Sequence, residues 1–406
     1  MIVQTKQQLK QFGRLALTFV VGSMLFACSS NDEEEDENRV AELTEIQEQF
    51  EPEVIWDKSV GDGVEHYFSR LKPHLAYGKV FTASRQGELY AFDEVTGETV
   101  WHKDLSDINN ERGFFDAKSS ALLSGGPITG INKVFIGSEN GEVFAFNAES
   151  GELDWQGEVK GEVITRPAHD AGILVVNAAS GTLKAFNASN GEDVWQIEQD
   201  VPPLSLRGIS TPSIGSGGVV LGTASGDVSV YILENGQLGW TAGLGEATGT
   251  TELARVVDVD AEPLIYGDKV YAVSSRGNLA AIDLRSGRIL WKRQYSSYRQ
   301  ISIAGNTIYL TDVKGHVFAV DRNNGLEKWS NLLLTNRGVT GPAVVGNYVV
   351  VGDFEGYLHW LNRDSGEIVA RHEVDSSGIY TTPTVGKNVL YVQSRDGDLE
   401  AIKTPN

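Results

Sequence analysis

The side chains that could do chemistry in this sequence are few and widely separated. Seven histidines, His66, His74, His102, His169, His316, His359 and His372, show none of the short helical spacings that present paired imidazoles to a metal. The sequence contains no glycine-rich phosphate cradle and no Gly-x-Ser-x-Gly nucleophile turn. Three features remain. Cys28 is the only thiol. Asp258-Val259-Asp260, taken alone, reads as a solvated acidic loop or a weak cation site. Pro203-Leu204-Ser205-Leu206-Arg207-Gly208 sets two leucines beside an arginine, a composition suited to binding another protein. The leucines offer apolar burial, and arginine is enriched among the residues that dominate interface energies. The alternative is that these leucines fold back to anchor their own loop.

The chemistry of Cys28 is set by what precedes it. Lys6, Lys10 and Arg14 lead into an apolar run from Leu15 to Phe26, too short to span a bilayer comfortably and typical of a secretory signal. Leu25-Phe26-Ala27-Cys28 resembles the lipobox of bacterial lipoproteins, which implies cleavage after residue 27 and diacylation of Cys28. Ser29 in the next position implies sorting to the outer membrane of a Gram-negative cell. A plain signal peptide is the alternative, and it would leave Cys28 as an odd thiol in an oxidising compartment. Loss of Lys6, Lys10 and Arg14 would take the formal charge from -21 to -24. So acidic a chain lacks the basic footprint that nucleic acid requires, and anionic lipid would repel it. Membrane attachment would rest on acyl chains, at roughly 0.8 kcal/mol per buried methylene. Residues 28–50 carry the run Asp32 to Glu37 and read as a solvated tether with no binding role.

What must position the remaining residues is a repeat. Glycines at 87, 141, 181, 226, 277, 315, 356 and 397 each stand between short β-like runs. The first seven are followed ten residues on by Gly97, Gly151, Gly191, Gly236, Gly287, Gly325 and Gly366, and six of those units add Trp101, Trp155, Trp195, Trp240, Trp291 or Trp329 four residues later. With eight tryptophans in 406 residues, such a register marks a repeated structural unit. Apolar alternation and β-branched content favour strands, and the glycines suit tight hairpins. Asp93, Asn147, Asn187, Asp283, Asp321 and Asn362 open the second turn of their units, where a short polar side chain can bond the backbone ahead. A further strand per unit is opened by Pro127, Pro167, Pro212, Pro263, Pro342 or Pro383. Four antiparallel strands in about 44 residues fit a propeller blade.

The expected fold is therefore all-β, an eight-bladed β-propeller over residues 51–406. The last repeat stops at Ile402-Lys403 without its tryptophan strand, while Val54-Ile55-Trp56 precedes the first repeat unassigned. The strand around Trp56 is expected to complete the last blade and leave no free sheet edge; seven blades with an N-terminal cap is the alternative. The tryptophans are expected to pack between blades, rather than to form aromatic ligand boxes. Blade seven must differ locally, since it has Ala370 at the tryptophan position and Trp360 nearby.

In an up-and-down blade, the hairpin between strands two and three shares a face with the connection to the next blade. Those connections are long at 102–126, 196–211 and 241–262, so this face is expected to bind. The second contains Leu204, Leu206 and Arg207, and the third contains Asp258 and Asp260.

The lipobox, the Gly-to-Trp repeats and the Leu-Ser-Leu-Arg-Gly loop together resemble the BamB family, lipoproteins of the outer-membrane β-barrel assembly machinery. The resemblance covers almost the whole chain. It implies a non-catalytic scaffold without cofactor or metal, lipid-anchored at the periplasmic face of the outer membrane. It also implies binding to the POTRA domains of BamA within a complex that has further components, and assistance in inserting β-barrel proteins, with contact to nascent clients an open matter. In that family Leu204, Leu206 and Arg207 match loop residues that contact BamA, and Asp258 and Asp260 match a neighbouring acidic pair. The leucines would supply burial, while Arg207 and the aspartates would fix orientation by charge. Similar repeats occur in quinoprotein dehydrogenases using pyrroloquinoline quinone and calcium. That enzymatic reading would need calcium ligands with a catalytic aspartate, and many such enzymes carry a vicinal disulfide that one cysteine cannot form. A generic periplasmic protein-binding propeller is the third reading.

Overall fold

Within each repeat the two middle runs are buried nearly throughout, as in Lys79–Ala83 and in Glu142–Asn147, where five of the six residues are buried. Strands of this kind must be covered on both faces, which a single sheet in solvent cannot provide. Each outer strand instead buries chiefly its tryptophan, as in Thr99–Asp104 and Leu153–Glu158. Sheets stacked radially satisfy both patterns. The protein is described by a computed structural model covering residues 38–67, 69–108, 119–200, 209–245 and 258–405. Among these, eight four-stranded antiparallel sheets follow one another along the chain. In the short described piece before Leu43, Arg39 and Glu42 form an exposed ion pair.

Blade one comprises His74–Ala76, Lys79–Ala83, Glu88–Asp93 and Thr99–Asp104, and the next six repeat its order. The eighth is assembled from both ends of the propeller chain: Glu53–Ser59 pairs with Asp398–Lys403, with Trp56 opposite Ala401. The ring is thus closed by the strand around Trp56, and the alternative of seven blades with a cap is excluded. The residues before this strand, read above as the end of a tether, lie against blade seven. Leu43, Ile46 and Phe50 pack on buried clusters there, and Gln49 N–H donates to Val369 O at 2.8 Å.

The seams between blades explain the tryptophan register. The asparagine or aspartate that opens each second turn accepts from backbone N–H groups ahead, for example Asp93 Oδ1 from Val95 and Thr96 at 3.0 and 2.8 Å. A β-bulge just before each tryptophan, as between Ala145 and Phe146 opposite Leu153 and Trp155, turns that side chain toward the next blade. There its indole N–H reaches the turn's backbone: Trp101 donates to Ala148 O at 3.0 Å, Trp155 to Ala188 O at 3.0 Å and Trp329 to Arg363 O at 2.9 Å. Trp56 makes the equivalent bond to Glu94 O across the closure. The ring lies flat on the second-turn glycine. At Gly151, with φ of +68°, an added Cβ would sit 2.7 Å from Trp101, so this position requires glycine both for conformation and for room.

Blade seven inverts the pair. Elsewhere an alanine or valine on strand three faces the tryptophan of strand four, as Ala91 faces Trp101, but in blade seven Trp360 faces Ala370. The physical reason lies in blade eight, whose third and fourth strands come from opposite ends of the propeller and have no turn between them to receive a tryptophan. Trp360, fully buried, donates instead to Thr404 Oγ1 at 3.2 Å, and Phe50 packs edge-on at 6.3 Å.

Candidate functional site

The residue after strand four donates to the glycine carbonyl of its blade's strand-two to strand-three turn, as Leu105 to Gly87, Val159 to Gly141, Leu244 to Gly226 and Val374 to Gly356. Turns and inter-blade connections therefore share one face, as strand order requires. Leu204, Leu206 and Arg207 fall outside the described residues, as do Cys28 and most of the connection at 109–118. The roots of the two neighbouring loops are described, and they meet: Ser210 Oγ donates to Ala261 O at 3.2 Å, and Asn177 Nδ2 donates to Ser210 O at 2.9 Å.

Asp258-Val259-Asp260 is not the open acidic loop that its composition suggests. Asp258 and Asp260 are 1% and 5% exposed. The cause is Val259, fully buried, which packs at Gly222 where any added Cβ would clash with it. Val259 N–H donates to Thr223 O, and Asp258 O accepts from Ser275 N–H. The segment is thus wedged between the turns of blades four and five, and both aspartates are carried inward with it. Burial pushes the Asp260 carboxyl up to about 6, opposed by Arg70 and assisted by Asp258.

Asp260 faces the ring axis, where a cavity of about 120 Å³ opens on the connection face, lined in part by Arg70, Lys72, Arg166, Glu262, Arg299 and Gln300. Arg166 Nη2 holds both Glu262 oxygens at 3.1 and 3.2 Å. Arg70 donates to Asp260 O at 3.3 Å, and Lys72 Nζ to Gln300 Oε1 at 2.9 Å. Arg299 donates to Tyr380 O and Gly338 O at 3.2 and 3.4 Å. Burial, with Arg166 adding repulsion, pushes the Lys72 ammonium down to about 8. Burial, then Arg166 and Lys72, push His74 down to about 4. This cluster was missed in the sequence, although a signal existed: Lys72, Arg166, Thr211, Glu262, Gly341 and Thr382 each precede a proline that opens an inner strand, and all six line the mouth. A second charged cluster on this face is closed upon itself, with Arg337 bound to Asp353 at 2.7 Å and to Glu355, and His359 Nε2 bonded to Asp353 at 3.0 Å. Among the described residues no group of three or more His, Cys, Asp or Glu side chains could hold a metal.

These observations define a closed eight-bladed propeller, uniform on one face and elaborated by long loops and a charged mouth on the other. The chain belongs to the family described as outer membrane protein assembly factor BamB, whose model matches residues 85–331 and 334–405. The protein of that name from Shewanella oneidensis is 45% identical over 94% of this chain and 96% of its own, and the Escherichia coli protein is 40% identical over the same shares. The crystal structure of BamB from Moraxella catarrhalis superposes with a TM-score of 0.76 at 25% identity, covering 87% of this chain and all of that one. A quinohemoprotein alcohol dehydrogenase from Pseudomonas putida reaches a TM-score of 0.68 at 13% identity over 91% of this chain and 79% of its own, a likeness of fold alone.

Proposed function

We propose that this chain is a non-catalytic scaffold of the outer-membrane β-barrel assembly machinery, held by acylated Cys28 at the periplasmic face of the outer membrane. In this reading its connection face binds the POTRA domains of BamA within the larger complex and assists insertion of β-barrel proteins. Leu204 and Leu206 supply the apolar contact, and Arg207 the oriented charge. Asp258 and Asp260 act from beneath: buried at the root of the adjacent loop, they hold the base on which the contact residues stand. The observation that carries this reading is the bond between the two loop roots, Ser210 to Ala261. It joins the root of the loop that carries Leu204 to Arg207 to the root of the loop that ends at Asp260, which supports reading the two as one patch.

The double substitution Leu204→Ala with Arg207→Ala is expected to abolish copurification with BamA and to leave the melting temperature unchanged. Undiminished copurification would refute the assignment. Radiolabelled palmitate is expected in the wild-type chain and absent from Cys28→Ser, and label retained in the variant would refute the anchor.

A further inference from the structure

The axial mouth is electrostatically at odds with the rest of the chain. The sequence carries a net charge of -21, yet among the described residues Arg70, Lys72, Arg166 and Arg299 converge here beside Asp260 and Glu262. Glu262 is taken up by Arg166. The hydrogen bonds of Lys72 and Arg299 go to an amide oxygen and to backbone carbonyls, which orient the cations without neutralising them. Holding like charges together in a partly buried pocket is unfavourable unless an anion joins them. Fixed, pre-oriented donors are what a charge-assisted bond to such an anion needs.

We propose that this mouth is a carboxylate-binding site, filled either by a free small dicarboxylate or by an acidic side chain of a polypeptide lying across the connection face. Size supports the class: an apolar cavity of about 150 Å³ accommodates benzene, so the 120 Å³ here suits a ligand the size of succinate or one glutamate side chain. Lys72 and Arg299 bind the carboxylate oxygens. Gln300 and the carbonyls of Tyr380 and Gly338 keep both cations aimed at the axis. Tyr298 and Tyr380 form the rim; Tyr298 packs against Arg299, whose guanidinium lies 4.7 Å from its ring centre, and Tyr380 packs against Arg395 at 4.9 Å. The proposal assigns no role to Leu204 to Arg207, so its failure would leave the partner assignment untouched.

Calorimetric titration of the purified full chain tests this with two probes, succinate and the blocked tripeptide acetyl-glycyl-glutamyl-glycinamide. At least one probe is expected to bind saturably, with a dissociation constant of about 1 mM or tighter. Lys72→Met and Arg299→Gln are each expected to weaken binding about tenfold, while Lys403→Met, which removes an exposed lysine paired with Glu53, leaves it unchanged. Binding by succinate alone identifies a free ligand, and binding by the glutamyl peptide identifies a polypeptide carboxylate. No saturable binding by either probe, equal binding of the glutaminyl counterpart, or affinity unaltered in both mouth variants would each overturn the proposal. Two separate variants guard against one failing to fold.

Discussion

On the face of the strand-three to strand-four turns, seven tryptophans reach across the seams to the next blade's backbone at 2.8 to 3.3 Å. The strand-three to strand-four turns there are near copies of one another. On the connection face the segments between blades range from the seven residues 295–301 to the twenty residues 244–263, and charges from several of them gather at one mouth. The same repeat builds both faces. Where each unit must fit its neighbour, sequence is held to glycine, a short polar residue and tryptophan. Where a segment only has to span a gap, its length and charge are free to vary, and binding can be built there.

The contrast is broken most completely at the closure. Deleting residues 51–58 removes Trp56 and strips Asp398–Lys403 of its outer partner strand, so cooperative thermal unfolding of the propeller is expected to be lost. A variant that melts as the parent does would show that the ring holds without this strand. Next come the seams themselves. Trp360→Ala, at a fully buried site, is expected to cost about 5 kcal/mol, and Trp155→Ala, 8% exposed, about 3 to 4 kcal/mol; denaturant melts would rank them. Equal losses would mean that the inverted pair of blade seven is merely an ordinary seam. The Leu204 and Arg207 double variant on the connection face should instead leave stability alone.

A smaller effect than those at the seams, and of opposite sign, is expected from Asp260→Asn. Burial raises this carboxyl to about 6 from its ordinary 3.8. The folded state therefore holds the proton more tightly, and the stability this provides is present below pH 3.8 and lost as the pH rises through 6. Above that range the buried charge is a cost, so the asparagine variant should be more stable than the parent by about 1 to 3 kcal/mol at pH 7.5. The gain should vanish near pH 3.5. A gain that persists in acid would place its origin in packing rather than charge.

Much of this was legible in the chain. The glycine spacing gave the blade count, the unassigned Trp56 gave the closure, and strand order gave the shared face of the connections at 196–211 and 241–262, whose described roots meet. Each of these depends on local pattern, because turns and strand alternation are written within a few residues. The acidic pair was read less well. Asp258 and Asp260 look solvent-facing in isolation, and only the slot at Gly222 that receives Val259 explains their burial. Leu43, Ile46 and Phe50 follow a charged run and look like spacer until blade seven supplies an apolar surface for them.

By itself, then, the sequence determined the repeat, the number of blades, the way the ring closes and the family, because each is written in short local patterns, the closure as one strand left over at Trp56 and one missing after Lys403. Tertiary structure alone decided where separate repeats converge. Lys72, Arg166 and Arg299 are distant in the chain and meet only because the ring brings successive strand-opening positions to one axis. It also decided that Trp360 takes over the work of the missing tryptophan at 370: the two ends of the chain share blade eight, and that leaves no turn for a fourth-strand indole to grip.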